Sequence, residues 1–158
     1  MRSEEAVTQA IDQYADMVKR ICFIHLKNEA DTEDIFQTVF LKYAMSDTVF
    51  ESEAHKKAWL IRVTLNACKD LLKSFFHKRT VPLDMYVEKS GVADSARSEV
   101  LEAVLSLPEK YRRVVYLHYY EGYTAPEIAE ILQIKVNTVY TQLTRGRDML
   151  RVSLGGEA

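Results

Sequence analysis

Apolar residues along this chain recur at steps of three and four, and no stretch alternates for long with a period of two, which predicts helix throughout and an all-α fold. Val7, Ala10, Ile11, Tyr14, Val18, Ile21, Cys22 and His25 or Leu26 trace one stripe of a first long helix, interrupted at Asn28 and Glu29. The next helix has Asp31 as its cap, Thr32, Glu33 and Asp34 in its positively polarised first turn, and Ile35, Phe36, Val39, Phe40 and Tyr43 along its apolar side. It should end near Ser46 and Asp47. A third helix is predicted over 54–76, burying Ala58, Trp59, Ile61, Leu65, Cys68, Leu72 and Phe75. Residues 80–95, TVPLDMYVEKSGVADS, break the pattern with Pro82, Gly91 and mixed polar side chains, and read as a linker. Periodicity resumes at Val100, Leu101, Val104 and Leu105, and Pro108 suits the first turn of a helix that runs through Tyr120 and stops at Gly122. Two small helical domains joined by a linker are expected.

The most informative stretch is YTAPEIAEILQIKVNTVYTQLTRGRDM at 123–149. Thr124 followed three residues later by Glu127 is a capping box, so a helix starts there. It carries Ile128, Ala129, Ile131 and Leu132, a short turn follows at 133–136, and a second helix begins at about Asn137. Small Ala129 permits a close crossing, Ile134 fills the angle, and Val139 with Leu143 faces the first helix, which is helix-turn-helix geometry. Tyr140, Thr141, Thr144, Arg145 and Asp148 then point outward, suited to base edges and phosphates in a major groove.

A net charge of −2 argues against a DNA binder until the charges are mapped. Residues 1–54 hold five basic against eleven acidic groups, whereas in 55–79 seven basic residues (Lys56, Lys57, Arg62, Lys69, Lys73, Lys78 and Arg79) face only Asp70. Residues 80–109 are acidic again, and beyond Ile131 the cations Lys135, Arg145, Arg147 and Arg151 outnumber Asp148 and Glu157. Two basic segments separated by acidic ones suggest two polyanion contacts on a body that otherwise avoids indiscriminate binding. Cys22 and Cys68 lack any metal-spaced partner; Cys22 and His25 share a helix face but read as core, with no metal or cofactor expected. No charge-free apolar run of membrane-spanning length occurs, and MRSEEAVTQA is no secretory signal, so the cytoplasm is expected.

The segment DTEDIFQTVFLK at 31–42 resembles region 2.2 of bacterial RNA polymerase sigma factors, and FESEAHKKAWLIRVTLNACKDLLK at 50–73 is similar to regions 2.3 and 2.4. LPEKYRRVVYL at 107–117 resembles the opening of region 4. The motifs stand in the family's order without the bulky middle region, as in the small extracytoplasmic-function type, and the resemblance runs from about Val7 to Leu150. It implies region 2 at 1–79, a linker at 80–97 and region 4 at 98–158. It further implies that Asp34, Gln37, Phe40 and Leu41 dock on the β′ clamp helices of core polymerase, with Gln37 and Phe40 partly exposed. The −10 element would be read by Arg62, Asn66 and Asp70 on one helix face, with Lys56, Lys57, Lys69 and Lys73 gripping phosphates and residues 50–55, Phe50 among them, as the loop that captures an extruded base. The −35 element would meet Thr124, Lys135, Asn137, Thr138, Tyr140, Thr141, Thr144, Arg145 and Arg147. Implied partners are core RNA polymerase through its β′ clamp helices and β flap, promoter DNA and an anti-sigma factor, without a small-molecule substrate. Departures from the family pattern are Gln133 for a frequent Gly, Lys135 for a Ser, Thr38 for a Glu, and Tyr140 and Gln142 for basic residues.

A free-standing helix-turn-helix regulator is the competing class, since 123–150 also resembles response-regulator output domains, but it leaves 31–42 and the basic helix unexplained. An enzyme lacks support: there is no phosphate-cradling glycine loop, HExxH or nucleophile-base pattern.

Overall fold

The computed structural model describes the backbone of residues 1–79 and 99–155 and the side chains of 1–74 and 99–155. The linker expected at 80–97 and the burial expected of Phe75 lie outside the described residues. All regular structure among the described residues is helical, and no described helix is long and apolar enough to cross a membrane. The chain divides into two compact units, Met1–Val92 and Ala93–Ala158.

In the first unit three helices pack against one another: α1 (Glu4–Leu26), α2 (Glu29–Met45) and α3 (Glu53–Arg79). Ser3 caps α1 by accepting from the Ala6 N–H, and Lys27 in the left-handed region ends it. Asp31 does not cap α2; Asn28 does, its side chain accepting the Asp31 N–H at 3.0 Å. With Lys27 turning the chain, Asn28 has the extended backbone that a cap requires, and Asp31 falls inside the first turn, where its charge still favours the helix dipole. Val18, Ile21, Cys22, Leu26, Val39, Leu60, Ile61, Thr64 and Cys68 lie at the centre of the core. On α3 the buried face is wider than one stripe and takes in Leu60, Thr64 and Ala67, while Ala58, Trp59 and Leu72 stay half-buried. A helix wedged against two neighbours buries two flanks, which a single-stripe reading cannot anticipate.

The second unit comprises α4 (Glu99–Leu105), α5 (Glu109–Val115) with a π-helical turn at Tyr116–Tyr120, α6 (Ala125–Leu132) and α7 (Val136–Ser153). Pro108 is the cap of α5 rather than its first residue. The buried Arg112 guanidinium donates to the carbonyls of Leu105 and Leu107 at 3.2 and 3.0 Å, closing the α4–α5 turn. The π turn is closed by the Glu121 N–H donating to the Tyr116 carbonyl, and Gly122 then adopts φ +81°. Gly146 on α7 lies so near α5 that a Cβ there would meet Val115 Cγ2 at 2.8 Å.

Candidate nucleic-acid interface

In α3, Arg62, Asn66 and Asp70 repeat at four-residue intervals on one side of the helix. Asn66, Lys69, Asp70 and Lys73 are exposed, while Lys56, Lys57 and Arg62 are half-buried, so long cationic side chains cover apolar surface before reaching solvent. The start of this helix is held by Tyr14 of α1, whose hydroxyl donates to Glu53 at 2.7 Å. That bond holds the Glu53 carboxyl below its ordinary value, with Lys56 adding a smaller pull in the same direction.

The loop expected at 50–55 is displaced toward the N-terminus, because Glu53, Ala54 and His55 already belong to α3 and residues 46–52 are irregular. Ser52 stops the irregular path by accepting the His55 N–H on its hydroxyl. Phe50 is half-buried in an aromatic box: Tyr43 stacks at 6.1 Å, and Trp59 and His55 stand edge-on at 5.6 and 5.2 Å. Its ring is a support for the loop more than an open stacking platform. Trp59 is likewise shared between core and surface, edge-on to Tyr43.

On α2, Asp34, Gln37 and Leu41 are exposed, Leu41 by 64%. Phe40 departs from the expectation of partial exposure. It is only 4% exposed and packs on Phe36 at 4.9 Å, because it follows Ile35 and Val39 around the inner side of the helix. Leu41, Met45 and Val49 form the exposed apolar side chains of this region.

In the second unit the capping box is complete. The Glu127 N–H donates to the Thr124 hydroxyl at 3.3 Å, and the Thr124 N–H and hydroxyl donate to the Glu127 carboxylate at 2.9 and 3.0 Å. Those bonds depress the Glu127 carboxyl, and they occupy the Thr124 hydroxyl. Gln133 ends α6 at φ 58°, in the left-handed region that explains why glycine would suit the position. Helix α7 starts at Val136, one residue before the expected Asn137, with Lys135 as a cap that supplies no side-chain hydrogen bond. Ala129, Val139 and Leu143 are buried between the two helices, while Ile134 is half-buried in the turn.

Lys135, Asn137, Thr138, Tyr140, Thr141, Thr144, Arg145, Arg147 and Asp148 are all exposed. Two of the cations lie beside tyrosines of α5 and its π turn. Arg147 donates to the Tyr119 hydroxyl at 3.0 Å, and the Arg145 guanidinium beside Tyr111 lowers the pKa of that phenol. Sequence reasoning missed these tyrosine partners, Arg112 and the close approach at Gly146. Only Gly146 left a local signal, a glycine inside an otherwise favourable helix. Cys22 and His25 are core residues, and among the described residues no cluster of three or more potential metal ligands occurs.

Residues 10–78 match the family model Sigma-70 region 2, and residues 97–150 match Sigma-70, region 4. The chain is 27% identical to the ECF RNA polymerase sigma factor SigW of Bacillus subtilis, a match covering 96% of this chain and 90% of that one. It is 28% identical to the RNA polymerase sigma factor SigV of the same organism, over 87% of this chain and 84% of the relative. Among solved structures the fold is similar to the sigma factor RpoE in complex with the anti-sigma factor NepR from Bartonella quintana, with a TM-score of 0.76 and 17% identity, over 96% and 98% of the two chains. It also resembles CnrH in complex with the cytosolic domain of CnrY, with a TM-score of 0.67 and 19% identity, over 99% and 92%. Helix-turn-helix, basic α3 and the two matched regions in their order together place the chain in the sigma-70 family of RNA polymerase sigma factors, among its extracytoplasmic-function members.

Proposed function

We propose that this sigma factor docks on core RNA polymerase through the outer face of α2, captures and melts the −10 element with α3 and the loop before it, and reads the −35 element with α7. The domains that divide this work are residues 1–79 and 98–158, joined by a linker at 80–97. The observation that carries the reading is the α3 surface, where Asn66 and Asp70 stand exposed in series with Arg62 and among Lys69 and Lys73. Extruding a base costs a few kcal/mol, and cations that hold the displaced strand by its phosphates, beside a preformed loop, offset that cost. A regulator that only occupies closed duplex would have no use for such a surface. Asp34, Gln37 and Leu41 supply the polymerase contact; Phe40 acts from beneath, by shaping α2.

The factor carries no covalent chemistry of its own and works in the cytoplasm, where polymerase and chromosome are. Restraint by an anti-sigma protein is supported by the anti-sigma factor NepR bound to the similar solved structure of RpoE. The test is reconstituted transcription with core polymerase on a promoter library, followed by permanganate footprinting. Asn66→Ala, or a shortened loop before α3, should bind core as the wild type does but open duplex promoters poorly, and a promoter mismatched across the −10 element should bypass part of the loop variant's defect. A wild type that never opens promoter DNA with core would overturn the reading in favour of an operator-binding regulator.

A further inference from the structure

Arg2 precedes α1, yet its side chain lies across the end of α2 and the loop at 46–52. Its N–H donates to the Ala44 carbonyl at 2.8 Å, and its Nε donates to the Tyr43 carbonyl at 2.9 Å. These carbonyls belong to the last turn of α2, where the dipole favours a cation, and the Tyr43 carbonyl accepts from Arg2 as well as from the capping Ser46 N–H. Nη2 donates to the Thr48 carbonyl inside the loop. The same guanidinium lies over the rings of Tyr43 and Phe50, 4.4 and 5.0 Å from their centroids. One planar group thus joins the helix end, the loop backbone and the aromatic box. A lysine could not do this, having a single ammonium centre and no flat face to stack.

The rest of the loop is tied in the same sense. Ser46 Oγ accepts the Thr48 N–H at 3.1 Å, and His55 Nδ1 accepts the Glu51 N–H at 3.1 Å. What remains directed to solvent is the tip, with Val49 86% exposed between Asp47 and Glu51.

We propose that Arg2 is a positioning residue for promoter melting, stapling residues 46–52 to the end of α2 so that the loop meets an extruded −10 base already ordered. The proposal rests on the assignment of this loop and α3 to the −10 element. Without the staple, loop ordering would be charged to the binding step, which weakens capture without touching the docking face of α2.

The experiment uses the full chain bound to core polymerase and a single-stranded oligonucleotide carrying the −10 element of a promoter from which it initiates. Arg2→Ala should weaken oligonucleotide affinity roughly three- to tenfold, with core affinity and helix content unchanged. Arg2→Lys should recover only part of the loss. The sole tryptophan, Trp59, borders the aromatic box, so its quenching by acrylamide should rise in Arg2→Ala. Wild-type oligonucleotide affinity in Arg2→Ala, alongside a weakened Asn66→Ala, would overturn the proposal and leave the −10 assignment standing. Joint loss of core binding and helix content, or full recovery by Arg2→Lys, would also overturn it. If Asn66→Ala and a shortened 46–52 loop both bound normally, the −10 assignment itself would fall.

Discussion

Thr124 and Glu127 hold the entry to the helix-turn-helix through three hydrogen bonds, and each group has a separable signature. Thr124→Ala should cost about 0.5–2 kcal/mol of stability, the usual range for loss of a hydroxyl cap. The Glu127 carboxyl titrates below its ordinary value because the Thr124 N–H and hydroxyl favour its charged form. Its contribution is therefore complete above the ordinary carboxylate range and disappears as pH falls through the depressed folded value. Glu127→Gln should flatten that acid-side part of the curve of melting temperature against pH, and an unchanged curve would show the carboxylate to be idle. Gln133 and Lys27 mark the opposite case, residues accepting φ 58° without glycine's freedom because the chain must turn there. No propensity scale would have chosen them.

At the scale of elements, helix α2 has two faces that a single mutant pair separates. Phe40→Ala should destabilise the first unit by about 3–5 kcal/mol, as expected for truncating a buried aromatic. Leu41→Glu should leave the melting temperature nearly unchanged yet weaken retention on core polymerase in gel filtration; equal effects on both measurements would dissolve the distinction. Helices α5 and α7 meet at Gly146, where an added methyl would lie 2.8 Å from Val115 Cγ2. Valine is branched at Cβ and cannot swing that methyl aside freely, so overpacking outweighs the roughly 1 kcal/mol by which alanine favours helix over glycine. Gly146→Ala should therefore lower the melting temperature and loosen the base on which Arg147 is braced; a stabilised variant would mean that the helices separate at no cost.

For the whole molecule, charge segregation matters more than the net charge of −2. Acidic surface elsewhere suppresses binding to arbitrary polyanions, so DNA affinity should be modest and should fall steeply with salt. Arg145→Ala should reduce affinity of the full chain for a duplex −35 fragment and lower the slope of log K against log salt by about one, the signature of one lost phosphate contact. An unchanged slope, measured by anisotropy between low and physiological salt, would move the −35 contact away from α7.

The helical class, three long helices before 80, the capping box, the Val139 and Leu143 face and the two basic segments all followed from local order. These properties depend on periodicity, on a hydroxyl and a carboxylate three residues apart, and on charges near one another along the chain, all legible in a linear string. Relations between distant segments were not. How completely Phe40 is covered depends on the helices packed against α2, and the irregular segment gives way to α3 at Glu53, which Tyr14 of α1 holds by a hydrogen bond. Arg2 reaches Tyr43 and Thr48 more than forty residues away, and Arg147 meets Tyr119 across 28. Such partners are set by which helix faces pack together, and a guanidinium takes whatever carbonyls and rings that packing brings within reach. Residue order determined the elements and the kind of surface they carry; only the packed structure decided which side chains hold those surfaces in place.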